Sequence, residues 1–109
     1  HEPAVVTNPE ELLLSALGAC YAITLGSILA RQRLSGCGIS IDAVGEVTWE
    51  PGQGLKFQSV ELRPQIRLPA PRPDDEALRR KLEQAAESAA RHCMIAKAVQ
   101  GNVDVRHTP

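Results

Sequence analysis

The chain has 109 residues, the size of a single domain, and we treat residues 1–109 as one unit. Its 12 basic and 13 acidic residues are interspersed and give a net charge of -1, which gives no reason to expect a nucleic-acid partner or an anionic membrane surface. Aromatic residues make up only 3% of the chain, so the core must be aliphatic.

The chain has three cysteines, Cys20, Cys37 and Cys93, and no CxxC pair. An odd number of scattered cysteines is not typical of a secreted disulfide framework. The first residues lack the basic and apolar regions of a secretory signal and resemble the cut end of a longer chain. We therefore expect a cytoplasmic protein whose thiols are available for chemistry.

A long apolar helix is predicted from Asn8 to about Leu34. Asn8 suits the N-cap, Pro9 suits the first helical position, and Glu11 completes a capping box. We expect the helix to stop at Ser35-Gly36.

The same helix has an uncharged stretch from Leu12 to Ala30, which is long enough to consider a membrane span. Polar and small residues such as Ser15, Thr24 and Gly26 dilute this stretch, and the other segments of the chain are amphipathic. We therefore expect no membrane partner, and instead a helix buried on all sides at the centre of a domain or a dimer.

Two strands are predicted to follow as a hairpin. Alternating residues from Ile39 to Trp49 indicate a strand with one buried face, and Pro51–Gly54 is a turn. The apolar phase of the next strand changes near Gln58-Ser59, which predicts a bulge, and Pro64 predicts that part of this strand lies on an edge.

A second helix is predicted after a proline-rich connector, with Asp74 as its cap. Its apolar stripe includes Cys93, around which the helix is expected to bend or restart. The helix should end near Gly101, before a short strand from Val103 to Arg106. The resulting order, helix-strand-strand-helix-strand, is an α+β fold.

Two cysteines on the apolar faces of two helices could meet in the core. A disulfide between Cys20 and Cys93 would need Cα atoms roughly 4.4 to 6.8 Å apart. Free cysteines are also among the most buried residues and often only fill space. The residues alone therefore leave both a functional pair and two inert thiols open.

Other kinds of site are weaker hypotheses. A zinc site could recruit Cys20, Cys37, Cys93 and His92, but no pair has finger-like spacing, so no metal is expected. A Cys-His catalytic pair could use His92 or His107, yet sequence adjacency of His92 and Cys93 does not favour one, because neighbours on a helix point about 100° apart.

Two segments resemble motifs of the OsmC/Ohr family, the osmotically inducible and organic hydroperoxide resistance proteins. TNPEELLLSALGACYAITLGSILAR is similar to that family's TNPEELLAAA-x-AAC helix, and RHCMIAKAVQGNVDV is similar to its second motif. The second motif is usually Cys-Pro-Val-Ser followed by an apolar helix and a last strand. Here Met94-Ile95-Ala96 replaces Pro-Val-Ser. The resemblance covers nearly the whole chain and implies an OsmC-like fold.

This resemblance implies a thiol-dependent peroxidase that forms an intertwined homodimer with active sites at the subunit interface. Cys20 would be the peroxidatic cysteine and Cys93 the resolving cysteine, with no cofactor. The substrate would be an organic hydroperoxide, because an aliphatic pocket favours an alkyl tail. A dithiol reductant, in such proteins often a lipoyl group, would regenerate the thiols.

A peroxidatic cysteine must ionise at neutral pH, whereas an apolar helix alone raises the pKa of a thiol. In the family, an arginine on a strand before the helix supplies a positive charge, and the glutamate matching Glu10 orients it. That strand has no counterpart in this sequence, so the arginine cannot be named. Glu10 and Cys20 would lie about 15 Å apart on one helix, so we expect them to approach only across two subunits.

An alternative is an OsmC-fold protein without peroxidase turnover, which either binds an apolar small molecule or senses redox state through its thiols. Consumption of hydroperoxide with a dithiol would separate these functions.

Overall fold

The computed structural model describes residues 8–34, 36–69 and 76–107. Its elements, in chain order, are helix α1 (Pro9–Arg31), strands β1 (Gly38–Glu50) and β2 (Gly54–Arg67), helices α2 (Glu76–His92) and α3 (Met94–Ala98), and strand β3 (Asp104–His107). The predicted α+β order is confirmed, and the second predicted helix restarts at Cys93, as expected. Asp74, the expected cap of that helix, lies outside the described residues.

The predicted capping box begins α1. The side chain of Asn8 accepts a 2.7 Å hydrogen bond from the amide of Glu11, whose side chain accepts a 3.3 Å bond from the amide of Asn8. The helix ends at Arg31, short of the predicted Leu34, because Arg33 has a φ of 63°, in the left-handed region that ends a right-handed helix.

The hairpin contains the predicted bulge. Strands β1 and β2 are antiparallel, with Glu46 opposite Ser59 and Val47 opposite Phe57. Gln58 is therefore the extra residue on β2, at the point where the apolar phase of the sequence changes.

Strand β3 adds to the other side of β2, in parallel orientation, and completes the order β1-β2-β3. Its pairing runs from Asp104 opposite Ser59 to His107 opposite Leu62. Pro64 lies beyond this pairing, where no strand of the described chain neighbours that side of β2. A proline is tolerated there because no ladder hydrogen bond requires its missing N–H, as the sequence predicted.

The core forms where α1 lies against β1, β2, α2 and α3. It is almost entirely aliphatic, as predicted, with one tyrosine, and consists of Leu17, Tyr21, Leu25, Leu29, Leu34, Val60, Leu62, Ala85, Ala89, Cys93 and Val103.

One face of α1 stays exposed in the single chain, so the domain alone does not bury this helix on all sides. Leu12 is 56% exposed and Ile23 is 73% exposed. By length and composition alone α1 could cross a membrane, but core helices of soluble proteins satisfy the same criteria. The exposed face therefore needs a partner surface or remains in solvent.

The buried face of β1 is shorter than the sequence predicted. It is covered as far as Gly45, but Val47 is 44% exposed and Trp49 is 68% exposed. Trp49 pairs with Leu55, itself 74% exposed, at the tip of the hairpin. The tip lies beyond the part of the sheet that pairs with β3. Apolar and polar residues still alternate along β1 there, but the apolar side chains are exposed.

Candidate active site

The structure brings Cys20 and Cys93 together. Cys20 is half-buried near the middle of α1, whereas Cys93 is fully buried. Cys93 is the residue between α2 and α3, with an extended φ of -72° and ψ of 112°. The two thiols are within hydrogen-bonding reach of each other, and both are free. The break between the helices thus places the second sulfur against the first.

Four groups that can donate a hydrogen bond lie near the sulfur of Cys20. They are the backbone amides of Ile95 and Met94, the thiol of Cys93 and the hydroxyl of Thr24. Burial acts to raise the pKa of Cys20, but these hydrogen bonds stabilise the thiolate more strongly, so its pKa lies below the ordinary value of 9.0. These neutral donors, rather than a cation, favour ionisation within the described part of the chain.

Cys93 is affected in the opposite direction. Burial raises its pKa above 9.0, and the adjacent Cys20 raises it further because a thiolate on Cys20 disfavours a second negative charge. An amide hydrogen bond from Ala96 only partly offsets these effects. Of the two thiols, Cys20 therefore loses its proton more readily than Cys93.

Thr24 is a site residue that the sequence reasoning missed. It lies one helical turn after Cys20, and its hydroxyl donates a 2.8 Å hydrogen bond to the Cys20 carbonyl. The same hydroxyl reaches the Cys20 sulfur. Because one hydroxyl proton can serve only one acceptor at a time, ionisation of the sulfur favours rotation toward it. The i, i+4 spacing of a threonine after a cysteine was the signal available in the sequence.

Tyr21 lies close to Cys93 and packs against His107. Tyr21 is completely buried, and its hydroxyl donates a 3.2 Å hydrogen bond to the carbonyl of Ala86 on α2. Its ring centroid lies 5.0 Å from that of His107. Burial raises the pKa of Tyr21, and the neighbouring Cys93 adds to this effect; burial lowers the pKa of His107. Both residues are thus held neutral.

The other residues that the sequence analysis considered for the site lie apart from Cys20 and Cys93. Glu10 is exposed in the first turn of α1 and borders a groove of about 560 Å³ between Leu13 and Phe57. It lies ten positions before Cys20 on the same continuous helix, about 15 Å away along the axis. Cys37 donates its thiol proton to the Leu34 carbonyl at 3.0 Å.

The histidines and carboxylates that the structure describes do not gather into a metal site. His92 is exposed, with its Nδ1 atom 2.7 Å from the Ser88 carbonyl oxygen. Within residues 8–34, 36–69 and 76–107, no group of three or more His, Cys, Asp or Glu residues could hold a metal ion.

Fold and site together define an α+β domain with two adjacent thiols of unequal acidity. A family model described as OsmC-like protein matches residues 3–108. The uncharacterised protein YmaD of Bacillus subtilis (strain 168) is 36% identical over 105 residues, which cover 95% of this chain and 67% of that protein. The chain belongs to the OsmC family, so the resemblance found in the sequence is confirmed.

Solved structures of this family share the fold. An organic hydroperoxide resistance protein OsmC from Legionella pneumophila is 26% identical with a TM-score of 0.71, covering 95% of this chain and 69% of that one. An OsmC-like protein of unknown function from Vibrio cholerae is 27% identical, also with a TM-score of 0.71, covering 98% and 73%. A role in redox or peroxide chemistry is therefore supported for this fold.

Proposed function

We propose that this protein is a cytoplasmic thiol peroxidase that reduces organic hydroperoxides to alcohols. The observation that carries the proposal is the contact between Cys20 and Cys93, in which ionisation is favoured on Cys20 and disfavoured on Cys93. A nucleophilic thiolate beside a protonated thiol is what a two-cysteine peroxidase requires. The name of the Legionella relative, an organic hydroperoxide resistance protein, supports the same chemistry.

In the first step, the Cys20 thiolate attacks the terminal oxygen of the hydroperoxide. The O–O bond breaks, the alkoxide takes a proton and leaves as an alcohol, and Cys20 is oxidised to a sulfenic acid. In the second step, the Cys93 sulfur displaces the hydroxyl group of that sulfenic acid. A Cys20-Cys93 disulfide forms, and water leaves with the Cys93 proton.

A dithiol reductant, such as a lipoyl group, completes the proposed cycle. One reductant thiolate attacks the Cys20-Cys93 disulfide, which releases one cysteine and leaves the other in a mixed disulfide with the reductant. The second thiol of the reductant then attacks that mixed disulfide and releases the remaining cysteine. The two cysteines return to thiols, and the reductant leaves as a cyclic disulfide. No other cofactor is needed, because two electrons pass from the dithiol to the peroxide.

We also propose that the protein works as a homodimer that buries the exposed face of α1. This face carries Ile23, 73% exposed, and Leu12, 56% exposed, and it adjoins a groove of about 550 Å³ between α1 and β1. Apolar exposure of this extent on a helix indicates a partner surface. The homodimer would bring Glu10 of one subunit toward the Cys20 site of its partner, where it would orient a cationic group.

Light scattering of the Ile23→Glu variant tests the dimer. The unaltered protein should have the mass of two chains, and the variant the mass of one, because a carboxylate would be buried without a partner. Val44→Glu is the matched control, since Val44 is 47% exposed and alternates along β1 with Ala43, which lines the groove beside α1. A monomeric unaltered protein would refute the homodimer.

The enzymatic proposal is tested by turnover of cumene hydroperoxide with dihydrolipoamide. Cys20→Ser should abolish turnover, and Cys93→Ser should stop after one turnover with a sulfenic acid on Cys20 that dimedone traps. Cys37→Ser is the matched control and should retain full turnover, because Cys37 lies outside the pair. Absence of turnover with intact, reduced thiols would favour the small-molecule-binding or redox-sensing alternative.

A further inference from the structure

A groove of about 780 Å³ lies between the end of α2, helix α3 and strand β3. Neither Cys20 nor Cys93 lines this groove, so it is separate from the proposed active site. No residue of α1 lines it either, and the surface proposed for the homodimer is therefore a different one. The volume is in the range of pockets that bind small molecules.

The floor of the groove is apolar. Ala90 on α2, Ala96 on α3 and Val105 on β3 line it, and all three are half-buried against the core. Val103, which is buried, continues this floor toward the turn before β3. A ligand that covered these side chains would remove apolar surface from water, which favours a ligand with an aliphatic body.

Two cationic side chains border this floor. Arg91 near the end of α2 and Lys97 on α3 both line the groove and are exposed. Neither makes an ion pair within the described part of the chain. Asp104 also lines the groove, but its carboxylate is paired with Arg106, 2.8 Å from the Nε atom. The lining therefore carries unbalanced positive charge, which favours an anionic ligand.

We propose that this groove is a binding site for an organic carboxylate with an aliphatic body, such as a medium-chain fatty acid. The planar guanidinium of Arg91 suits the two oxygens of a carboxylate, and Lys97 supplies a second positive charge. The alkyl chain covers the apolar floor. This site does not depend on the thiols, so its test measures binding instead of turnover, and it can fail separately from the proposed peroxidase activity.

Titration of the isotope-labelled protein with octanoate, followed by NMR, tests the proposal. The backbone amides that shift should cluster at residues 96–105, which include α3, the following turn and the start of β3. Acetate has the carboxylate without the alkyl chain, and 1-octanol has the chain without the charge. Each should bind at least about threefold more weakly than octanoate, because each lacks one of the two interactions.

Substitutions at the border of the groove test the charge. Arg91→Gln and Lys97→Gln should each weaken octanoate binding roughly threefold to tenfold, as expected for loss of one charged contact. Arg80→Gln is the matched control, because it removes an exposed arginine of the same helix that does not line the groove. Its dissociation constant for octanoate should equal that of the unaltered protein.

The comparison of octanoate with 1-octanol uses the unaltered protein, so it does not depend on folding of the variants. Octanol binding as tight as that of octanoate, or equal weakening by Arg80→Gln and Arg91→Gln, would overturn the proposal. Amide shifts centred on Leu12 and Ile23 would do the same, because they would place octanoate on α1. Shifts of the groove amides on dilution of the protein alone would show that a second copy covers the groove, which would also overturn it.

Discussion

Tyr21 and Ala86 are joined by a hydrogen bond of 3.2 Å from the tyrosine hydroxyl to the alanine carbonyl, which ties α1 to α2 one residue after Cys20. Because α2 leads directly into Cys93, this bond lies between the two elements that carry the thiols. Tyr21→Phe should lower the free energy of unfolding by about 1 kcal/mol, the net contribution of a buried neutral hydrogen bond. Urea unfolding measures the change, and superimposable curves for the two proteins would contradict it.

The Thr24 hydroxyl should contribute to ionisation of Cys20, since it reaches both the carbonyl and the sulfur of that residue. Thr24→Val keeps the branched shape and removes the donor, whereas Thr24→Ser keeps the donor. We expect the Thr24→Val variant to raise the pH of half-ionisation of Cys20 by about half a unit to one unit. The Thr24→Ser variant should change this pH little. Iodoacetamide alkylation against pH gives this midpoint, and an equal effect of both substitutions would exclude the hydroxyl.

Local signals in the sequence were sufficient to predict most of the fold. The capping box of Asn8 and Glu11, the bulge at Gln58 and the restart of the helix at Cys93 each depend on a few neighbouring residues. The chemistry of a cap or a bulge is contained in that short range, so such features can be derived before any tertiary contact is known.

The features that were missed depend on distant parts of the chain. Which donors meet Cys20 is decided by packing of α1 against α3, and nothing near Cys20 in the sequence indicates Met94 or Ile95. Likewise, alternation along β1 predicts a buried face but not how far a helix covers it, so the exposure of Trp49 was unexpected. From the residues alone, the contact between Cys20 and Cys93 was one of two alternatives, the other being two separate, inert thiols.

His107 should make the stability of the fold fall in mild acid. Burial lowers its pKa below the ordinary 6.5, so the unfolded chain takes up a proton on this ring at a higher pH than the folded chain does. The stability contributed by neutral His107 is complete above pH 6.5 and is lost as pH falls through the lower, folded pKa. Urea unfolding from about pH 8 to about pH 5 should therefore show a decline that His107→Gln reduces.

The control for this pH dependence is His92→Gln, which removes an exposed histidine whose Nδ1 atom lies 2.7 Å from the Ser88 carbonyl oxygen. The free energy of unfolding of this variant should fall in mild acid as much as that of the unaltered protein does. If both substitutions reduce the decline equally, the effect does not come from burial of His107.

Gly45 should be the glycine of β1 least able to accept a side chain. A Cβ atom there would lie 2.6 Å from Cε1 of Phe57 and 3.2 Å from Cδ2 of Leu14, which packs on it from α1. Gly45→Ala should therefore lower the free energy of unfolding by about 1 to 3 kcal/mol, the usual range for overpacking. Gly26→Ala is the matched control, because its Cβ would lie 3.5 Å from Cδ1 of Ile39, an ordinary contact, and alanine favours a helix by about 1 kcal/mol. Urea unfolding of both variants measures the difference, and a Gly45→Ala protein as stable as the Gly26→Ala protein would mean that the contact between α1 and β1 can widen without cost.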